Sequence, residues 1–122
     1  MKKASIALIR NNDLVLMGKR RDSGKWTPPG GGVDGKEPPS EALKREVKEE
    51  TGFEVTDFKM VHVLLDKNAL VYLYETQIKG KMDLTKDPDN EFSELAWVDP
   101  FKIDLHHPED TNIVISYLKS KK

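Results

Sequence analysis

The sequence predicts a mixed α/β domain, with a mixed β-sheet flanked by helices. β-type apolar runs recur at residues 4–9, 14–17, 53–65, 69–77 and 95–98 without strict alternation with helical segments. Two stretches, 40–51 and 109–120, instead repeat their apolar residues at helical spacing. The 122 residues are 37% hydrophobic and 34% charged, which suits one globular domain over 1–122 with a real core and a heavily charged surface.

Each element has a local reason. Arg10-Asn11-Asn12-Asp13 is a turn signal between the first two runs, which therefore read as a hairpin. Residues 18–38 are rich in Gly, Pro and basic side chains and read as a loop, with a short strand near Trp26. Ser40 is the expected N-cap of the first helix and Gly52 its stop. Asp66-Lys67-Asn68 turns the 53–65 strand into the 69–77 strand. Residues 78–90 are polar and read as loop. Leu95-Ala96-Trp97-Val98 is a short strand closed by Asp99-Pro100. The last helix shows the stripe Ile113, Val114, Tyr117, Leu118.

Composition narrows the function classes. Net charge is −1, with no basic stripe for long nucleic acid and no drive toward an anionic membrane. The chain has no cysteine, so disulfides and thiolate metal sites are excluded, and a cytoplasmic setting is expected. No apolar stretch approaches the roughly 18 residues of a transmembrane span, and none follows the N-terminal lysines as a signal sequence would.

The first helix carries the chemistry. At about 100° per residue, Leu43 and Val47 mark its buried stripe. Glu50 falls beside them, Glu46 and Glu49 follow on one flank, and Glu41, Lys44, Arg45 and Lys48 take the solvent-facing arc. Glu46 and Glu50 form an i,i+4 like-charge pair, Glu46 and Glu49 an i,i+3 pair. Each costs about 0.2–0.5 kcal/mol on an open helix and more when desolvated. An acidic run is ordinarily a solvated face, but these carboxylates border the core. A divalent cation, Mg²⁺ or Mn²⁺, is the expected compensation, since hard oxygen ligands suit it.

Gly30-Gly31-Gly32 precedes that helix and lets backbone approach a ligand closely. Its spacing to the acids is more informative than the triplet itself. Residues 31–53 match G-x5-E-x7-R-E-U-x-E-E-x-G-U at Gly31, Glu37, Arg45, Glu46, Val47, Glu49, Glu50, Gly52 and Phe53, where U is apolar. This resembles the Nudix box, and the chain is similar to Nudix hydrolases. The flanks agree, with Trp26, Pro29, Gly30 and Gly31 leading in and Glu94, Trp97 and Val98 following. One departure is the order Gly35-Lys36, where relatives place Gly directly before the position of Glu37.

The resemblance implies an α/β/α sandwich around a mixed sheet. It also implies hydrolysis of a nucleoside diphosphate linked to a group X, with Mg²⁺ or Mn²⁺ as cofactor. Metal ligation then falls to Glu46, Glu49, Glu50 and the Gly30 carbonyl. Arg45 orients a glutamate by a bidentate contact, and Glu37 joins that network. Glu50 or Glu46 is a candidate general base, with Glu91 or Glu94 as the alternative from a later loop. At least one of Lys19, Arg20 and Arg21 is expected on phosphate. Asn112 is a candidate for reading a base, with a helix cap as the favoured alternative.

Trp26 reads as core or loop packing. Tyr72 and Tyr74 read as sheet packing, one per face, and His62, His106 and His107 as non-catalytic. The short chain, without the extra N-terminal domain of many ADP-ribose hydrolases, favours a MutT-like nucleoside triphosphate pyrophosphohydrolase. Pro28 stands where MutT-type proteins carry an aromatic. ADP-ribose, dinucleoside polyphosphates, nucleotide sugars and RNA 5′-ends stay open as substrates. A non-catalytic nucleotide sensor is the reading from another class. Either a monomer or a homodimer is compatible.

Overall fold

The computed structural model describes residues 1–66, 68–102 and 108–120, without the side chains of Asp66, Lys86 and residues 108–112. His106 and His107 lie outside the described residues, as does the side chain of Asn112. The strands are β1 (Lys2–Leu8), β2 (Arg10–Asn11), β3 (Leu14–Arg20), β4 (Trp26–Thr27), β5 (Gly30–Gly32), β6 (Glu54–Asp66), β7 (Ala69–Lys79) and β8 (Phe92–Val98). The helices are α1 (Pro39–Thr51) and α2 (Pro108–Ser120), with one 3-10 turn at Leu84–Lys86.

One four-stranded sheet has the order β5-β1-β7-β6. β1 and β7 run parallel, while β5 and β6 pair antiparallel at the two edges, so the sheet is mixed. A parallel pair needs a long crossover, and α1 and β6 provide it. The second sheet is antiparallel, β2-β3-β4 with β8 on the other side of β3.

Strand alternation places the helices. Ile6 and Leu8 of β1 and Val71 and Leu73 of β7 pack with Ile113, Val114 and Tyr117 of α2. Ala7, Ile9 and Tyr74 point the other way and pack with Leu43 and Val47 of α1. The two helices therefore cover opposite faces of the mixed sheet, as the α/β/α expectation requires.

Several local expectations are corrected. Residues 4–9 and 14–17 do not form a simple hairpin. Ile6, Ala7, Leu8 and Ile9 are all buried, and a strand apolar on both faces belongs inside a sheet. Only Arg10–Asn11 pairs with Leu14–Val15, and Leu16 N–H donates to the Ile9 carbonyl. Gly30–Gly32, expected as loop, is strand β5. A Cβ on Gly30 would come within 2.3 Å of the Ser5 carbonyl oxygen, so the turn-like glycines are what allow this close pairing. Pro38, not Ser40, caps α1, because Pro39 at the first helical position supplies a pre-set φ. β7 runs on to Lys79 and β8 begins at Phe92, so the polar stretch between them is shorter than expected. Tyr72 and Tyr74, two residues apart, share one face rather than splitting between two. Trp26 packs against the α2-side core, as expected. Among the described residues no helix is long and apolar enough to cross a membrane.

Gly52 ends α1 as expected, at φ +83° with its N–H on the Lys48 carbonyl. A Cβ there would lie 2.6 Å from the Asp83 backbone nitrogen. Gly52→Ala should therefore cost more than about 1 kcal/mol, the penalty of the left-handed conformation alone. Urea unfolding monitored by circular dichroism checks this.

Candidate active site

The site grows from α1 lying beneath the glycine strand. Val47 and Leu43 anchor the helix to the sheet, and the turn between them and Gly52 carries Glu46 and Glu50 toward β5. Glu50 is 3% exposed, a carboxyl at the edge of the core. Its Oε1 accepts the Gly30 N–H at 2.8 Å. Burial pushes its pKa well above the ordinary carboxylate range, against the Gly30 contact, and Glu46 and Glu91 raise it further. Glu91 thus stands near enough to Glu50 to disfavour its anionic form.

Glu46 is pushed up to about 7, first by burial and then by Glu49 and Glu91, although the Arg45 guanidinium opposes the shift. Its carboxyl fills the space over Gly31. A Cβ on Gly31 would sit 2.6 Å from the Glu46 carboxyl carbon. The second glycine of the triplet is thus the gap that lets the carboxylate reach the strand.

Arg45 ties the loop to the helix. It grips Glu37 with two hydrogen bonds, Nε at 3.1 Å and Nη2 at 3.0 Å, the fork geometry that only guanidinium offers. Nη1 donates to Glu46 at 2.8 Å and Nη2 to the Gly32 carbonyl at 3.1 Å. Glu37 is held below its usual pKa by Arg45 and by the Asp34 N–H, and the Arg45 pKa is raised. Arg45 is therefore turned into the site and partly buried, a correction to the solvent-facing arc of the wheel. Carboxylate partners on both sides outweigh its nominal direction.

Of the three basic residues at the end of β3, only Arg20 lines the cleft with Gly30, Gly31, Gly32, Glu46, Glu50 and Glu91. Asp22 holds its guanidinium through two hydrogen bonds at 3.1 and 3.0 Å, and Glu91 lies 3.7 Å away. Lys19, on the opposite face of the strand, stands 4.0 Å from Glu94. Arg21 is exposed and meets the Glu91 carbonyl only through its backbone N–H. The structure thus brings Glu91 to the cleft and leaves Glu94 with Lys19 at the surface. Glu49 is more open, its side chain 36% exposed and 3.9 Å from Arg45.

Glu91 owes its position to a tight turn. The Asp87 carboxylate accepts the N–H of Asp89 at 3.0 Å and of Glu91 at 3.1 Å, and Asn90 adopts φ +49° between them. Sequence reasoning missed this turn, as well as Lys2, Lys3, Ala69 and Val71 in the cleft wall. Alternation along β1 was the available signal for Lys2, which shares a face with Ala4 and Ile6.

The donor set fits a hard divalent cation: buried and partly buried carboxylates crowd together, and the backbone is cleared by glycine. Among the described residues no three such groups are already gathered as a metal cage. Glu46 is turned to Arg45 and Glu50 to the Gly30 N–H.

A mixed sheet between two helices, with an acidic helix tucked under a glycine strand, defines an α/β domain with a carboxylate-lined cleft. The chain belongs to the Nudix family, and the NUDIX domain model matches residues 1–117. It is 30% identical over 105 residues to an RNA pyrophosphohydrolase of Francisella tularensis subsp. mediasiatica, covering 86% of this chain and 62% of that protein. The chain thus spans under two-thirds of that relative's length. Its fold is similar to that of a MutT Nudix hydrolase from Burkholderia pseudomallei, with TM-score 0.70, 25% identity and 88% of each chain covered. It is also similar in fold to an ADP-ribose pyrophosphatase from Streptococcus suis, with TM-score 0.76, 21% identity, and 99% of this chain and 92% of that one covered.

The raised pKa of Glu46 sets a pH dependence. Between the ordinary value of 4.5 and about 7, the metal-free folded protein binds more protons here than the unfolded chain. Stability therefore falls as pH rises through that window, and Glu50 acts in the same direction. The thermal midpoint in chelator should be lower at about pH 7.5 than at about pH 5, and Glu46→Gln should shrink the difference. Calorimetry at the two pH values checks it.

Proposed function

We propose that this chain is a divalent-cation-dependent hydrolase of a nucleoside diphosphate linked to a further group, acting on nucleoside 5′-triphosphates and releasing pyrophosphate. The single observation that carries this is the crowding of Glu46, Glu50 and Glu91 around the glycine strand, with two of those pKa values driven upward. That cluster is unfavourable for the metal-free protein and becomes favourable when a cation and an anionic substrate meet there.

Glu46, Glu49, Glu50 and the Gly30 backbone are the residues to hold the cation, Mg²⁺ or Mn²⁺. The bound ion supplies neutralisation of charge on the diphosphate oxygens and makes water easier to deprotonate. Everything else is the work of the chain. Arg20, fixed by Asp22, offers its guanidinium to a phosphate at the cleft wall. Arg45 and Glu37 lock the glycine strand against α1, so that Glu46 is aimed and not mobile. Glu50 and Glu91 face each other, and one of them in its anionic form accepts the proton of the attacking water. In-line attack of that water on the α or β phosphorus breaks the P–O–P bridge between them, leaving a nucleoside monophosphate and pyrophosphate. The glutamates that a silent nucleotide sensor has no need of are all present, which supports catalysis over binding alone.

Glu50→Gln should lower kcat by at least about a hundredfold, the scale of a lost general base or charge stabiliser, while the protein remains folded. Pyrophosphate release from nucleoside triphosphates with Mg²⁺, and again in chelator, tests the proposal. Turnover that is indifferent to the cation would refute it. Arg20→Ala should act chiefly on KM, since it removes a phosphate contact.

A further inference from the structure

We infer that the outer edge of β6 is a self-association surface. Its occupant is β6 of a second copy of this chain, paired antiparallel about a two-fold axis at Leu64. This edge lies across the sheet from the glycine strand, so the surface stands apart from the hydrolase reading.

β6 ends the order β5-β1-β7-β6, and among the described residues no strand pairs with its outer side. An open edge of 13 residues invites another strand, and folded proteins blunt such edges with charges and bulges. β6 has these devices in its first part. Its register against β7 shifts between Val55 and Asp57 and again between Met60 and His62. Asp57 and Lys59 are exposed there, and the Asp57 carboxylate accepts the Phe58 N–H at 2.9 Å. Beyond the second shift the edge is regular. Residues 62–66 pair one for one with residues 73–69, and the three in the middle are Val63, Leu64 and Leu65.

The side chains of this stretch are bare as well. Met60, Val63 and Leu65 pair with Tyr74, Tyr72 and Leu70, alternate residues of β7, so all three stand on the face that α1 covers. The α1-side core takes in Phe53, Val55 and Phe58 and leaves these three 45%, 44% and 62% exposed. An apolar row beside an open backbone edge is a pairing surface.

The stretch complements itself. An axis at Leu64 sets Val63 opposite Leu65 of the second copy, and Leu65 opposite its Val63, so apolar meets apolar twice on the bare face. The same axis sets the His62 position opposite the Asp66 position, an imidazole against an acid, with no like charges opposed. A neighbouring axis loses this match. At Val63 it puts His62 opposite Leu64, and at Leu65 it puts Asp66 there. Two four-stranded sheets then join into one, with the β6 pair at its centre and the glycine strand of each copy at an outer end. Both clefts stay open.

Sedimentation over roughly 1–500 μM protein should show the mean mass rising from one chain toward two. Val63→Lys/Leu65→Lys, at two exposed positions, should abolish the rise and leave far-ultraviolet circular dichroism unchanged. The chain has no cysteine, so single substitutions by cysteine report the register. Opposed residues of an antiparallel pair have Cα atoms about 4.5–5.5 Å apart, within the reach of a disulfide. Val63→Cys protein mixed with Leu65→Cys protein under oxidised glutathione should give the mixed disulfide in at least about fivefold excess over either self-linked product. A single-chain mass at every concentration would overturn the pairing. So would a rise in mass that survives the double lysine substitution. Self-linked Val63→Cys in excess would overturn it too, since that product needs the axis at Val63 or the bare faces packed together.

Discussion

The constraint on which the site depends is the burial of the Glu50 carboxyl against a strand made of glycine. A carboxyl 3% exposed is not tolerated without a partner, and the Gly30 N–H gives it one. That hydrogen bond fixes the height of α1 relative to β5. Once the height is set, Glu46 must occupy the space over Gly31, and Arg45 falls within reach of Glu37, Glu46 and the Gly32 carbonyl together. The same placement forces Glu50 against Glu91 on the far side. One packing decision therefore produces both the rigidity of the site and its unfavourable charge. The electrostatic cost of that placement falls on the stability of the metal-free fold.

The scaffold isolates that cost. The acidic cluster sits at one edge of the mixed sheet, whereas the cores on both faces are aliphatic and aromatic. Away from the cluster, charged partners are ordinary. Tyr117 donates to Glu75 at 2.8 Å, and Arg10 pairs with the same carboxylate, joining α2, β7 and β2 without any pull on the cleft. Phe58 meets the Tyr74 ring edge-on at 5.8 Å, with Lys44 5.2 Å over the Phe58 face, and this pins the outer side of α1 to β6. The helix is thus held from two sides, and its acidic flank has little freedom to relax away from the repulsion.

The legible part of the fold was whatever local chemistry dictates. The helix over 40–51, its Gly52 stop, the long strands of the middle region and the last helix follow from period and turn residues, and the structure has them at nearly those bounds. The box spacing brought Glu37, Arg45, Glu46 and Glu50 into one network because glycine strand, loop and helix are contiguous in sequence. What local pattern could not give is pairing. The 4–9 run reads as half of a hairpin, yet its two apolar faces place it between β5 and β7. The Gly triplet reads as a loop, yet absence of Cβ is the condition for it to pair with β1. Long-range register also decided between equals. Glu91 and Glu94 are three residues apart and were indistinguishable by sequence, and Lys19, Arg20 and Arg21 were equivalent candidates. A register shift in the β3–β8 ladder between Lys19 and Arg20, and the Asp87 turn, sort them.

The Asp87 turn also explains how a residue from a polar connection can share a site with a helix. A glutamate on an unfixed loop would move away from Glu50, since both groups prefer the anion in water. Here the backbone of the turn is bound at both ends. The Asp87 carboxylate holds the Asp89 and Glu91 N–H groups, and the Glu91 carbonyl accepts from Arg21, the residue just after β3. Arg20, the next residue back, carries positive charge to the same carboxylate at 3.7 Å. The loop therefore delivers Glu91 with its countercharge already attached, and β3 serves as a rail carrying both the guanidinium proposed for phosphate and the fixing point of the proposed base. A base whose position is set by backbone hydrogen bonds does not have to be ordered again at each turnover, which is the form of preorganisation that raises kcat and not affinity.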